Sequence, residues 1–257
     1  MKCKNCGGPI VTGADGKMKC RLCKTPYSEG AASSAAPSTS SYAPPSGGAK
    51  GGSGSGVDVF DKNINGILEL TCRSYRGVSA GSGLLIDREG YAITNTHVVT
   101  DQAVPCSDVT VKIAGQSVKA RIIALGDNQG GHGSGVDLAL IKLESVPYNA
   151  TPIVIGNFDD VRIGEQVYVI GNSLGDGTCI TSGIVSDKRR QLSGHTLMMT
   201  DCAINGGNSG GPIFNSSGIA IGVIVSSRIN RDGSATEGMN YAIPADIVLD
   251  FIRRAKR

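Results

Sequence analysis

The stretch DCAINGGNSGGPIFN, residues 201–215, places Ser209 between two pairs of glycines. Glycine loses more conformational freedom on folding than any other residue, so a run this rich in glycine indicates a backbone with special conformational demands. The residues that follow, GPIFNSSGIAIGVIV (211–225), combine turn signals with apolar runs typical of strands. A serine loop that leads into strands favours an all-β fold.

The same stretch contains GNSGG, which matches the G-x-S-x-G motif of α/β-hydrolases. That architecture needs a helix after the serine and a catalytic histidine later in the chain. No helical pattern follows Ser209, and the three histidines, His97, His132 and His195, all precede it. The subtilisin order of acid, histidine and serine also expects a helix that begins at the serine. We therefore set both architectures aside.

Composition limits the class of protein. The 257 residues are 40% hydrophobic, which suffices for a packed core, and with no Trp and 4% aromatics that core must rest on Val, Ile, Leu and Ala. The net charge of +3 does not argue for nucleic acid, and no apolar run approaches the ~18–20 residues that span a membrane. The first ten residues, MKCKNCGGPI, lack the apolar region of a secretory signal. We therefore expect a cytoplasmic protein with reduced thiols and no membrane contact.

Three segments follow one another along the chain. Residues 1–27 form a cysteine module, and residues 28–58 are rich in Ser, Ala, Pro and Gly, which predicts a flexible linker. Residues 59–257 alternate about a dozen short β-like runs with turn signals, as in sandwiches and barrels. Only the tail, PADIVLDFIRRAKR (244–257), has a helical pattern.

Two CxxC pairs dominate the first segment, and their four thiolates suit a closed structural Zn²⁺ site that resembles a zinc ribbon. The role of this basic module stays open among a plain solvated surface, protein docking or substrate capture, and nucleic-acid contact, the last weakened by the lack of an aromatic face. The predicted zinc ligands are Cys3, Cys6, Cys20 and Cys23. The remaining cysteines, Cys72, Cys106, Cys179 and Cys202, are expected to be small buried hydrophobes or free thiols.

A histidine, an acid and a serine occur in the order His, Asp, Ser on this β pattern. His97 ends the apolar stretch YAITNTHVV, and Asp137 opens DLALIKL, which alternates like a strand whose first residue projects into a cleft. Each residue alone has an ordinary structural explanation: a histidine after a strand, a turn-capping acid and a loop serine. Their joint occurrence in this order predicts a nucleophilic triad.

Residues 64 to about 250 resemble the trypsin-like, double β-barrel serine protease domain, and within it the HtrA (Deg) branch. The matching phrases are GSGLLIDREGYAITNTHVV (81–99), DLALIKL (137–143), IGNSLGDGTCITSGIVS (170–186), TDCAINGGNSGGPIFNSSGIAIGVIVS (200–226) and GMNYAIPADIV (238–248). The resemblance implies an all-β fold of two six-stranded antiparallel barrels with a C-terminal helix. It also implies a serine endopeptidase whose catalytic residues are His97, Asp137 and Ser209, with no metal needed for catalysis.

The resemblance assigns further roles around the triad. The backbone N–H groups of Gly207 and Ser209 would form the oxyanion hole. The base of the specificity pocket would lack an acid, so we expect cleavage after small or medium aliphatic residues rather than after Lys or Arg. A strand edge would accept the substrate as an added strand. The implied substrate-binding residues are Ala203 and Ile204 in the pocket and Val225, Ser226 and Ser227 on the edge.

The chain departs from its secreted relatives at several positions. Asn208 replaces the acid that pairs with a newly cut N-terminus in digestive proteases, so no proteolytic activation is expected. Ala80 and Val98 stand where those relatives place a disulfide. We also expect no PDZ domain after the tail helix. The loop Asp187–His195 is short for the HtrA sensing loop, so a trimer does not follow from the resemblance.

Two other hypotheses stay open. The first is a catalytically latent, protease-like scaffold that binds peptides and is targeted by its zinc ribbon. The second is a nucleic-acid-binding zinc protein with an incidental β domain. The expected partners are protein or peptide substrates and a possible protein partner of the ribbon, without nucleic acid or membrane.

Overall fold

A computed structural model describes residues 10–12, 18–20, 54–126, 136–192, 194–229 and 235–257 of the chain. The chain divides into two compact units, residues 1–42 and 43–257. In the first unit, strands β1 (Ile10–Thr12) and β2 (Met18–Cys20) pair antiparallel, with Ile10 opposite Cys20. The second unit contains all the other elements.

Helix α1 (Gly56–Asn63) opens the described part of the second unit. Ser55 caps it with a capping box: its hydroxyl accepts from the backbone N–H of Asp58, whose carboxylate accepts from the backbone N–H of Ser55. The helix begins inside the 28–58 range that composition predicts to be a linker, and the sequence analysis did not predict it. Tertiary contacts hold it, because Lys62 Nζ donates to the carbonyl of Ser217 at 2.7 Å.

The first barrel closes six antiparallel strands in the order β10-β5-β4-β3-β8-β9. A four-residue helical turn, α2, follows β5, and a small two-stranded hairpin, β6–β7, follows α2. The bounds are β3 (Ile67–Ser74), β4 (Gly77–Leu85), β5 (Tyr91–Thr94), α2 (Thr96–Val99), β6 (Thr100–Asp101), β7 (Val104–Pro105), β8 (Asp108–Ile113), β9 (Gln116–Leu125) and β10 (Ala139–Leu143).

The second barrel also closes six antiparallel strands, in the order β11-β12-β13-β16-β15-β14. Short 3-10 helices at Phe158–Asp160 and Ser173–Gly175 precede and follow its first strand. The bounds are β11 (Gln166–Asn172), β12 (Thr178–Leu192), β13 (His195–Thr200), β14 (Pro212–Asn215), β15 (Ala220–Ile229), β16 (Ala235–Pro244) and the terminal helix α3 (Ala245–Ala255). The predicted pair of six-stranded barrels with a C-terminal helix is confirmed.

An aliphatic core joins the two barrels. Ile67, Leu84 and Ile93 of the first barrel belong to the same buried cluster as Val169 and Ile213 of the second. Because apolar burial contributes about 25 cal/mol per Å² of surface removed from water, this shared core holds the barrels against each other. The loops at their junction are therefore fixed relative to one another. Within the described residues, no helix has the length and apolar character needed to cross a bilayer.

Candidate active site

His97 lies on the helical turn α2, directly after β5. The sequence predicts a strand end at this position, but buried hydrogen bonds turn the chain instead. The side chain of Asn95, fully buried, donates to the backbone carbonyl of Asp137 at 2.7 Å, and Thr96 Oγ1 donates to that of Leu138 at 2.7 Å. These bonds tie the His97 segment to the residues that precede β10.

Asp137 contacts His97 through both carboxylate oxygens. Oδ2 lies 2.6 Å from His97 Nδ1, and Oδ1 accepts from the backbone N–H of His97 at 3.1 Å. An ionised carboxylate only accepts hydrogen bonds, so Nδ1 carries a proton and Nε2 of a neutral imidazole is left as a base. The Asp137 side chain is 13% exposed and that of His97 is 42% exposed. The acid is therefore shielded while the imidazole faces solvent.

The Ser209 loop packs against the same part of the first barrel. The backbone N–H of Ser82, in β4, donates to the carbonyl of Ser209 at 2.8 Å. A Cβ atom at Gly210 would lie 3.1 Å from the backbone N of Asn95, two residues before His97. The Ser209 hydroxyl donates to the carbonyl of Val225 at 2.9 Å. Among the described residues it makes no hydrogen bond to His97.

Two glycines of the loop have backbone conformations that exclude a side chain. Gly207 has φ +92° and Gly210 has φ +85°. A Cβ on Gly207 would collide with the carbonyl oxygen of Asn172, and one on Gly210 would collide with that of Ser82. The glycine density noted in the sequence therefore has two physical causes, positive φ and close backbone approach.

The N–H groups of Gly207 and Ser209 have no hydrogen-bond partner among the described residues. The carbonyl of Gly206, which shares a peptide plane with the Gly207 N–H, accepts from the backbone N–H of Leu174 at 2.6 Å. Carbonyl and N–H point in opposite directions across a trans peptide, so this bond turns the Gly207 N–H away from Leu174. Two unpaired donors beside the Ser209 hydroxyl can receive an anionic oxygen.

The residues predicted for the specificity pocket lie on the segment before this loop. Ala203 is exposed and Ile204 is partly buried. The Ala203 carbonyl accepts from Thr181 Oγ1 at 2.9 Å, and Asn240 Nδ2 donates to the carbonyl of Cys202 at 2.6 Å. These bonds attach the segment to β12 and β16, the strands on either side of β13.

The predicted substrate edge lies on β15. On one side, Ser226 is opposite Tyr241 and Ser227 is opposite Asn240 of β16. On the other side, the pairing with β14 reaches only Val223. Beyond that point the described strands leave one edge of Ser226–Ser227 unpaired, next to the Val225 carbonyl that holds Ser209.

The predicted metal ligands fall mostly outside the described residues. Cys3, Cys6 and Cys23 lie there, and only the backbone of Cys20, at the end of β2, is described. No cluster of three or more metal-ligating side chains occurs in the described part of the chain. The zinc site therefore stays a prediction.

The remaining four cysteines differ in how far they are buried. Cys72 and Cys202 are fully buried, and burial raises the pKa of the Cys72 thiol to about 12 and that of Cys202 to about 11. Cys106 and Cys179 are partly exposed. Burial also raises the pKa of the Cys106 thiol. Such thiols stay protonated near neutral pH, so the expectation of small hydrophobes is confirmed for the two buried cysteines.

Sequence reasoning missed Ser82. Its hydroxyl donates to the carbonyl of Gly207 at 2.7 Å and accepts from the backbone N–H of Asn172 at 2.7 Å. The available signal was its position between Gly81 and Gly83, a smaller version of the glycine pattern around Ser209.

Comparison with known proteins agrees with this architecture. Residues 81–223 match the family described as trypsin-like peptidase domain. The chain is 35% identical over 189 residues to a probable periplasmic serine endoprotease, DegP-like, of Pseudomonas fulva, covering 72% of this chain and 36% of that protein. It is 32% identical over 206 residues to the chloroplastic Protease Do-like 5 of Arabidopsis thaliana, covering 75% and 59%.

Solved structures give the same result. An HtrA-type protease, AlgW, with a tripeptide superposes with a TM-score of 0.66 at 27% identity, over 76% of this chain and 61% of that one. A serine endoprotease from Yersinia pestis superposes with a TM-score of 0.61 at 25% identity, over 77% and 65%.

The predicted cytoplasmic location is wrong by this comparison, because the bacterial relatives are named periplasmic serine endoproteases. That prediction relied on the lack of an apolar signal region in the first ten residues, and the expectation of reduced thiols followed from it. The chain spans about a third of the length of these bacterial relatives, 36% in the first case. Its double barrel and its match to the domain over residues 81–223 place the chain in the trypsin-like peptidase family.

Proposed function

We propose that this chain hydrolyses peptide bonds with Ser209 as nucleophile, His97 as general base and Asp137 as the acid that orients the imidazole. The observation that carries the proposal is the two-point contact of Asp137 with His97, at 2.6 and 3.1 Å, beside the Ser209 loop. Two other acids, Asp108 and Asp127, also lie between His97 and Ser209 in the sequence and are the alternative partners of His97. Asp108 is instead paired with Lys119 at 2.6 Å, and Asp127 lies outside the described residues.

Proton transfer begins with a rotation of the Ser209 hydroxyl. In the resting state this group donates to the Val225 carbonyl at 2.9 Å. Rotation about the Cα–Cβ bond redirects it to Nε2 of His97, which takes the proton as the oxygen attacks the scissile carbonyl. His97 then protonates the leaving amine, and water hydrolyses the acyl-enzyme by the reverse sequence.

Charge that develops on the substrate oxygen is received by the N–H groups of Gly207 and Ser209. Both donors are free of partners among the described residues, so no protein hydrogen bond is broken when the oxyanion forms. Donors held in place before the reaction avoid reorganisation at the transition state, and one such donor contributes roughly 2.7–4 kcal/mol in other enzymes.

Substrate binding uses the edge of β15 and the pocket at Ala203 and Ile204. Val225, Ser226 and Ser227 would pair with an extended peptide as an added strand. The two pocket residues bring no carboxylate to attract Lys or Arg. Cleavage therefore follows small or medium aliphatic residues. The relative crystallised with a tripeptide supports peptide binding by this fold.

The N-terminal module would bind Zn²⁺ through Cys3, Cys6, Cys20 and Cys23. The metal would supply folding energy to a short module that has little core of its own. Docking of a protein partner or capture of a substrate is the role we propose for it.

The test uses a fluorophosphonate probe, which reacts with an activated serine and leaves a covalent adduct. We expect the wild type to be labelled on Ser209 and to cleave a denatured protein, and Ser209→Ala to do neither. Ser216→Ala, in the turn after β14, is the matched control and keeps both activities. A wild type that is neither labelled nor active, yet binds peptides, would instead identify a latent scaffold.

A further inference from the structure

Ser82 takes part in four hydrogen bonds at the junction of the two barrels. It is 0% exposed and lies on β4, in the first barrel. Its N–H donates to the Ser209 carbonyl at 2.8 Å, and its carbonyl accepts from Thr94 Oγ1 at 2.7 Å. Its hydroxyl accepts from the N–H of Asn172, at the end of β11, and donates to the carbonyl of Gly207, both at 2.7 Å. One small side chain thus connects both barrels to the loop that carries the nucleophile.

The loop needs such an external contact because it has few side chains of its own. Four of the six residues from 206 to 211 are glycines, which allow many backbone conformations. The Gly207 N–H belongs to the peptide that precedes Gly207, and the peptide that follows Gly207 limits how far the glycine backbone can rotate. The carbonyl of the preceding peptide is bonded to Leu174, and the carbonyl of the following peptide is bonded to Ser82. With both carbonyls held, the Gly207 N–H has one direction.

We propose that Ser82 is a positioning residue for catalysis: its hydroxyl holds the carbonyl of Gly207, which restricts rotation of the glycine backbone and so keeps the oxyanion-binding N–H of Gly207 aligned before substrate arrives. This inference rests on the proposed function, because it assigns a role to the proposed oxyanion hole. Ser82 touches neither the substrate nor the reacting atoms and acts through Gly207. The first barrel therefore supplies part of the alignment of a group that belongs to the second.

The primary test compares two buried, size-conserving substitutions around the same residue. Ser82→Ala removes the hydroxyl that contacts Gly207, whereas Thr94→Val removes a hydroxyl that contacts the Ser82 carbonyl on the opposite side. We expect Ser82→Ala to lower kcat about 10- to 100-fold with KM unchanged, since a misaligned donor is lost only in the transition state. Thr94→Val should keep the kcat of the wild type.

A second readout separates alignment from general destabilisation. A peptide boronate forms a tetrahedral adduct with the serine and needs the oxyanion hole. The product peptide, made as its C-terminal amide, has no anionic oxygen and needs only the pocket and the strand edge. The Ser82→Ala variant should lose boronate affinity in parallel with kcat and keep its affinity for the product peptide. Equal losses for both ligands, or equal losses of kcat in Ser82→Ala and Thr94→Val, would overturn the inference.

A third variant covers the case in which Ser82→Ala does not fold. Ser82→Cys keeps a side chain of similar shape with a weaker donor. We expect it to fold and to turn over substrate more slowly than the wild type, with the same selective loss of boronate affinity. Wild-type kcat in Ser82→Cys would count against the proposal.

Labelling of Ser209 distinguishes failure of the proposed function from failure of the proposed role of Ser82. If the wild type is not labelled by a fluorophosphonate, the proposed function fails. If the wild type is labelled and Ser82→Ala reacts at the same rate with the same kcat, the proposed function stands and the role of Ser82 is refuted.

Discussion

Replacing Asp137 by asparagine tests the arrangement of the triad most directly. The carboxylate serves two donors, the Nδ1–H and the backbone N–H of His97, at 2.6 and 3.1 Å. Asparagine has a single oxygen and an NH₂ group that cannot accept, so one of the two contacts is lost. If the NH₂ group faces Nδ1, the imidazole must take its proton on Nε2, the atom that has to receive the proton of Ser209.

The two consequences differ in size. One lost charge-assisted hydrogen bond costs roughly 1.5–3 kcal/mol of stability, which a domain of this size tolerates because typical stabilities are about 5–15 kcal/mol. The wrong tautomer should lower kcat by about 10⁴-fold, as in related triads, which is roughly 5.5 kcal/mol in the activation barrier.

The assay measures kcat on a fluorogenic peptide, together with urea unfolding of the same variant. Asp108→Asn is the matched control, because Asp108 is paired with Lys119 on the outside of the first barrel and should not affect turnover. A kcat for Asp137→Asn within tenfold of the wild type would show that Asp137 does not set the tautomer of His97. In that case another acid orients His97.

Three further predictions concern the loop, the pocket and the buried thiol. Gly207→Ala should abolish turnover and lower the unfolding midpoint in urea, because at φ +92° its Cβ would collide with the Asn172 carbonyl. An active variant would show that a side chain is tolerated at this position. Among peptides that differ in the residue before the cut, kcat/KM should be higher with Val or Ala than with Arg. A preference for Arg would refute the assignment of Ala203 and Ile204 to the specificity pocket. The pKa of Cys72 rises from 9.0 to about 12 in the folded state, so above pH 9 the unfolded chain releases a proton that the folded chain keeps. The free energy of unfolding should therefore fall between pH 9 and 12, by up to about 1.4 kcal/mol per pH unit from this thiol. Urea titrations at two pH values should show a smaller fall for Cys72→Ala, and an identical fall would contradict the prediction.

Much of the fold was predictable because strand periodicity and turn chemistry are local. The alternation in DLALIKL became β10, with Asp137 two positions before its first residue. The apolar spacing after Pro244 became α3. Helix α1 was not predictable from composition, because its range begins among glycines and serines. Lys62 and Asn63 of this helix donate to the carbonyls of Ser217 and Gly218, 155 positions later in the chain, and these contacts hold the helix in place.

The proposed catalytic residues could be named as a set from the sequence, since their order and their flanking phrases resemble one family. Their geometry was not. Periodicity continues the strand through YAITNTHVV, whereas bonds from Asn95 and Thr96 to residues about 42 positions later turn it into a helix that presents His97. The resting contact of the Ser209 hydroxyl with Val225, 16 residues later, is likewise invisible in the sequence.

Local sequence patterns were enough to predict the strands, the helical tail, a serine loop followed by strands rather than a helix, and the resemblance to the family. Each of these depends on neighbouring residues or on a phrase read in one piece. Three features needed the folded chain: the two-point contact geometry between Asp137 and His97, the bond of the Ser209 hydroxyl to the Val225 carbonyl, and the bond of Ser82 to Gly207 across 125 positions of sequence. The physical reason is that hydrogen bonds depend on distances of about 3 Å in space. Those distances are set when two barrels bury a common core and bring distant segments together.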